Sequence, residues 1–212
     1  MAKYLVEIEV DEDEVKRCAI DGGYEKPTAI DAVGAELAWS LQSGISVTKV
    51  EKNDVVYSVY IDGGCINNKV NHGLGGYGIV VLKDGDIIHK SGGYRNGTTN
   101  NRMEVFAAIT AIKKMRHVIQ CGKNDRCVIY SDSTYLVDNW NYNLMTWVDN
   151  DWKRAHGKEV LNRDLWCDLF EHVHMFDKIS FEWVKGHSSE EYNDMADKIA
   201  TRNIEKGKKC IL

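Results

Sequence analysis

The sequence predicts an α/β fold: a mixed five-stranded sheet flanked by helices, preceded by a small β-α-β appendage. Three observations carry that expectation. Apolar runs of strand length, Val55 to Ile61 and Cys127 to Tyr130 among them, end in turn-forming residues. Asp84-Gly85-Asp86 separates two further runs and is a hairpin signal. Beyond Thr98, helical and strand-like patterns alternate, which builds parallel pairs onto an antiparallel start.

In chain order, residues 1–52 form a unit of their own. Val6, Ile8 and Val10 alternate with Glu7 and Glu9, the pattern of a half-buried strand. A short acidic helix fits residues 11–20. Pro27 can open a second helix, with Ile30, Val33, Leu37 and Leu41 at helical spacing and Gly44 as its cap. Residues 45–50 read as a second strand. So small a unit needs something to pack on: the main domain, another protein or a second copy of the chain.

Residues 53–212 read strand, strand, strand, helix, strand, helices, strand, helix. The strands fall at 55–62, 77–83, 87–94, 127–132 and 179–184, and the helices at 101–117, 134–140, 161–175 and 190–206. In open sheets of this kind, ligands gather beyond the carboxyl ends of the parallel strands. Asp62 and Asp132 stand at two such ends.

The chain of 212 residues carries a net charge of −5, unevenly spread. Up to Lys52 there are 6 Lys and Arg against 11 Asp and Glu; the remaining 21 of each sign cancel. The larger segment is therefore neutral, and bound cations would make it positive enough to approach a polyanion. No apolar run is long enough to span a membrane and no signal segment follows Met1, so a cytoplasmic protein is expected. Six scattered cysteines with no C-x-x-C pair predict reduced thiols rather than a zinc site.

Four acids draw attention: Asp62, Glu104, Asp132 and Asp197. Singly, each has an ordinary explanation. Asp62-Gly63-Gly64 can be a turn, Asn101 to Glu104 a capping box, Ser131 to Thr134 a helix cap, and Asp197 an exposed helix residue. Together, two strand-end acids and two helix acids at one edge would repel unless cations held them, which points to a divalent-metal enzyme. His187, in a loop after Gly186, would be solvated in the ordinary case, and beside a metal site it would suit a proton shuttle, because histidine's unperturbed pKa is near neutrality. No G-x-S-x-G elbow or Walker A motif is present, which disfavours serine hydrolysis and nucleotide binding.

The segments Tyr60-Ile61-Asp62-Gly63-Gly64-Cys65, Gly75-Gly76-Tyr77-Gly78 and Thr98-Thr99-Asn100-Asn101-Arg102-Met103-Glu104 resemble type 1 ribonuclease H. Tyr130-Ser131-Asp132-Ser133, Trp183-Val184-Lys185-Gly186-His187 and residues 193–200 continue the likeness, in order, from Val55 to about Arg202. The resemblance implies the ribonuclease H-like fold and hydrolysis of the RNA strand of RNA–DNA hybrids, leaving 5′-phosphate and 3′-hydroxyl ends. It implies that Asp62, shared by both metals, acts with Glu104, Asp132 and Asp197 to hold two Mg²⁺, with Mn²⁺ as a possible substitute. His187 would aid proton transfer or product release.

For the substrate, the resemblance implies that Asn100 and Asn101 touch the hybrid's minor groove. Thr99 would hold a DNA-strand phosphate, assisted by Asn162, and Trp147 and Trp152 would line the channel for that strand or pack in the core. Asn68 is the first-loop asparagine, with Asn67 and Asn71 as alternatives. The chain departs from the family pattern at Gly97, where some members carry arginine, and in a longer loop from Cys65 to Tyr77. DNA-cutting relatives of the same fold lack the Thr-Thr-Asn-Asn-Arg-Met-Glu run, and a non-catalytic hybrid-binding module would be expected to have lost at least one acid.

Overall fold

The computed structural model describes residues 4–10, 45–52, 55–67, 73–123, 125–186 and 190–211. The chain divides into two units between Val55 and Val56. In the first, β1 (Tyr4–Val10) pairs antiparallel with β2 (Ile45–Lys52), from Tyr4↔Lys52 to Val10↔Ile45, with a bulge at Glu7/Ile8. The helices expected between these strands lie outside the described residues.

The second unit holds a five-stranded sheet of order β5-β4-β3-β6-β7. Its strands are β3 (Val56–Ile66), β4 (Gly73–Lys83), β5 (Asp86–Thr98), β6 (Arg126–Ser131) and β7 (Lys178–Trp183). β4 pairs antiparallel with β3 and, through the Asp84-Gly85 turn, with β5, while β6 and β7 add in parallel beside β3. Asp84 and Gly85 both take positive φ, 51° and 92°, as this tight hairpin requires. The helices are α1 (Asn100–His117), α2 (Thr134–Asp138), α3 (Leu144–Asp149), α4 (Arg163–Val173) and α5 (Glu191–Ile211).

Four elements differ from expectation. β3 and β4 run on past Asp62 and before Tyr77, pairing Cys65 with Gly75 and Ile66 with Leu74, so Asp62 lies within a strand. Gly76 and Gly78 are there because α5 crosses close above them. A Cβ on Gly78 would sit 2.0 Å from the Ala196 carbonyl oxygen, and one on Gly76 2.3 Å from that of Ala200. The helix expected at 134–140 ends at Asp138, then widens into a π-helical turn, Asn139–Asn143, that leads into α3. The helix expected at 161–175 begins at Arg163, because Asn162 takes a left-handed conformation with φ 60°.

The core lies on both sheet faces. Val59, Ile61, Ile79 and Ile129 are fully buried, as are Met103, Ala107 and Ile112 of α1 and Trp166 and Leu169 of α4. On the opposite face Val80, Leu82 and Ala196 form a cluster with Tyr60, Tyr192, Met195 and Ile199 around it. A Cβ on Gly63 would meet the Glu104 and Met103 backbone at about 2.5 Å, so α1 approaches β3 as closely as a glycine allows. All five described cysteines are free thiols. Among the described residues, no helix is long and apolar enough to cross a membrane.

Candidate active site

Asp62 is paired across the sheet with Gly78. Residues alternate along a strand, and Gly63 faces α1, so Asp62 leaves β3 on the α5 side. Glu104 enters from α1. Thr99 caps that helix, its Oγ1 accepting from the Arg102 amide at 3.4 Å, so Glu104 is the fifth helical residue and not part of a capping box. Asp132 follows the last residue of β6, and Ser133, not Asp132, caps α2 through its hydroxyl and the Leu136 amide.

These three acids meet. One carboxylate oxygen from each lies within 4.8 Å of the others. Glu104 is 5 % exposed, and its Oε2 has no hydrogen-bond partner among the described residues. Burial pushes its carboxyl well above the usual carboxylate range, and the charges of Asp62 and Asp132 push it the same way; a backbone hydrogen bond from Gly63 opposes them. Hard oxygen donors of one sign, one of them buried without a partner, suit a divalent cation. The residues fit such an ion.

Asp197 does not enter this mutual 4.8 Å group. It sits half-buried on α5, beside the Ala196 carbonyl that abuts Gly78, and accepts from Thr201 Oγ1 at 3.5 Å. His187 and Asn68 lie outside the described residues.

The expected substrate residues fall into two places. Thr99, Asn100 and Asn101 open α1; Asn101 is exposed, while Asn100 Oδ1 accepts from the Cys65 amide at 3.1 Å. Asn162 is tied to them through Arg102, whose Nη1 donates to Asn162 Oδ1 at 3.3 Å and to Asp164 at 2.9 Å. The other end of the Asn162 amide donates to the Tyr135 hydroxyl at 3.0 Å, which also accepts from Trp166 Nε1 at 3.3 Å. Trp147 is 8 % exposed, edge-on to Trp166 with ring centroids 5.5 Å apart, and borders a cavity of about 710 Å³ with Asn143, Lys153 and Arg154. Trp152, half-buried, packs on Phe170 at 6.2 Å.

Sequence reasoning passed over the residues that hold Asp132. Trp183 Nε1 donates to its carbonyl at 3.1 Å, and Asn193 Nδ2 lies 3.5 Å from its Oδ2. A Cβ on Gly186 would stand 2.4 Å from that same oxygen. The available signal was spacing: Asn193 precedes Asp197 by four residues and so shares its helix face.

The family model described as RNase H matches residues 54–205. A ribonuclease H of Acetivibrio thermocellus is 39 % identical over 153 residues, covering 72 % of this chain and 97 % of that protein. One of Francisella philomiragia is 38 % identical over 154 residues, 73 % of this chain and 93 % of the other. Among solved structures, LC9-RNase H1, a type 1 RNase H with the type 2 active-site motif, superposes with a TM-score of 0.63 at 28 % identity, covering 74 % of this chain and 75 % of that one. LC11-RNase H1 in complex with RNA/DNA hybrid shares the fold, with a TM-score of 0.54 at 22 % identity over 71 % and 98 % of the two chains. With the acids converging inside a matched stretch that spans most of its length, the chain is a member of the ribonuclease H family.

Proposed function

We propose that residues 53–212 form an endonuclease domain that hydrolyses the RNA strand of RNA–DNA hybrids with two divalent ions, Mg²⁺ or in its place Mn²⁺. The observation that carries this reading is the convergence of Asp62, Glu104 and Asp132 within 4.8 Å, with a buried Glu104 oxygen left without a partner. The relatives' ribonuclease H names and the hybrid bound to LC11-RNase H1 support the substrate class.

In the proposed site Asp62, Glu104, Asp132 and Asp197 would hold the ions, with Asp62 serving both. When bound, the ions supply an activated water for in-line attack and a counter-charge for the leaving 3′ oxygen, which leaves 5′-phosphate and 3′-hydroxyl ends. Bound cations would favour the ionised form of Glu104, because they offset the burial and the neighbouring charges that oppose ionisation. His187 moves a proton at the site or speeds product release.

The start of α1 offers the Thr99 hydroxyl and the positive end of the helix dipole, which suit a DNA-strand phosphate, with Asn162 tied in through Arg102. Asn100, Asn101 and a first-loop asparagine, Asn68, read the minor groove by its hydroxyls and base edges. Trp152 faces the DNA strand; the burial of Trp147 leaves it an edge of the same channel.

A gel assay with labelled hybrid, duplex RNA and duplex DNA tests the reading. We expect cleavage of the RNA in the hybrid alone, in Mg²⁺ or Mn²⁺ and not in EDTA. Folded protein that leaves the hybrid intact in both metals would overturn it.

The acidic residues 1–52 repel nucleic acid and carry only a two-stranded sheet in their described part, so we assign them to protein contact or dimerisation, in the cytoplasm. Sedimentation of the full chain should show a larger species than a chain starting at Asn53 beyond the mass of the missing segment. Two monomers would count against dimerisation.

A further inference from the structure

We propose that Asn193 is a positioning residue that docks the first turn of α5 onto Asp132 and so sets the distance of Asp197 from the three-carboxylate cluster. The proposal rests on reading that cluster as the metal site.

Asp132 is gripped by three pieces of chain that are separate from its own strand. Trp183, the last residue of β7, donates to its carbonyl at 3.1 Å and fixes the main chain. Gly186, in the loop beyond, comes so near that a Cβ there would stand 2.4 Å from Oδ2, and a larger residue would have to displace the carboxylate. Asn193, from α5, turns its Nδ2 to that same oxygen at 3.5 Å. An ionised carboxylate only accepts hydrogen bonds, so the amide nitrogen must be the end that faces it.

This orientation has a cost. Asn193 is 2 % exposed, and its Oδ1 accepts nothing among the described residues. A buried acceptor left unpaired destabilises a fold, and an apolar side chain of similar shape would avoid it. A residue chosen for stability alone would not be asparagine. Its amide makes sense as the donor that stops the Asp132 carboxylate from turning away.

The helix carries the consequence onward. Asn193 and Asp197 are four residues apart on α5, on one face and about 6 Å along the axis. Once Asn193 is seated on Asp132, the rise of the helix determines where Asp197 stands. α5 is also held by the backbone approach at Gly78 and Gly76 and by Tyr192, Met195 and Ile199 over Val80 and Leu82; Asn193 adds the contact that ties its first turn to Asp132.

The test uses the full chain with Asn193→Ala and, because a cavity could unfold the first, Asn193→Leu, which is close in shape and has no donor. Three quantities are read: amide hydrogen exchange in EDTA, Mn²⁺ affinity by calorimetry without hybrid, and kcat and KM for hybrid. Both variants should exchange about tenfold faster at residues 192–197 than the parent, bind Mn²⁺ about tenfold more weakly, and lose kcat with KM held within about twofold. Asn193→Leu should do so with its melting temperature unchanged or raised. Exchange and Mn²⁺ affinity equal to the parent in Asn193→Leu would overturn the proposal, as would a loss spread evenly over the sheet and all helices. If the parent itself binds no divalent ion and cuts no hybrid, the functional reading falls, and exchange in EDTA still decides whether Asn193 docks α5.

Discussion

Asp132→Asn should lower the rate of hybrid cleavage by about a thousandfold or more while leaving fold and hybrid binding in place. A thousandfold corresponds to about 4 kcal/mol of lost transition-state stabilisation, the scale expected when one formal charge leaves a cluster that must hold divalent ions. The substitution keeps the side-chain shape. Trp183 still donates to the main-chain carbonyl, and the amide oxygen that replaces the carboxylate can still accept from Asn193. Single-turnover cleavage, circular dichroism and hybrid affinity in EDTA measure the three quantities. Turnover within tenfold of the parent would show that the chemistry lies elsewhere.

Glu104→Gln should have the opposite effect on stability from most core substitutions: in EDTA at neutral pH the melting temperature should rise. Burial, then Asp62 and Asp132, raise the Glu104 carboxyl above its unfolded value. The folded state thus binds this proton more tightly than the unfolded state does. Its stabilising contribution is full below the unfolded pKa, about 4.3, and is lost as pH rises through the folded pKa. Metal-free parent protein should therefore melt at progressively lower temperature across that window, and the glutamine variant should lack this slope. Each 1 kcal/mol recovered corresponds to about 2–4 °C in a domain of this size. Mg²⁺ should raise the parent's melting temperature more than the variant's, because only the parent carries the repulsion that a cation relieves. Identical melting profiles in EDTA from pH 4 to pH 8 would refute the account of Glu104.

The two experiments probe different aspects of the same cluster. Asp132 reports what the acids do once ions are bound. Glu104 reports what their proximity costs when none are.

Strand and helix types were legible in the chain wherever side chains repeat with a period. Val55 to Ile61 and Cys127 to Tyr130 read as strands, Asn101 to His117 as a helix, and Asp84-Gly85 as a hairpin, and each is found. The run from Thr98 to Glu104 was enough to mark a site. Where the pattern depends on a distant neighbour, legibility fails. Gly75 and Gly76 read as a loop because glycine carries no period; Gly75 makes room for Met103 of α1, and Gly76 for a helix more than a hundred residues later in the chain. The π-helical turn at Asn139–Asn143 and the short helix beyond it gave no local sign. Trp147 looked equally suited to a surface channel or a core; its seat against Trp166, 8 % exposed, is a matter of packing.

The site divides along the same line. By itself, the sequence determined which acids are available, on which elements they ride and which family they belong to, because periodicity and motif are properties of neighbouring residues. Only the tertiary structure decided that Asp62, Glu104 and Asp132 share one space while Asp197 stands a step apart. That convergence depends on the parallel pairing of β3 with β6 and on the approach of α1 to Gly63. Asn193 became visible for the same reason: its partner, Asp132, lies 61 residues away in the chain and 3.5 Å away in space.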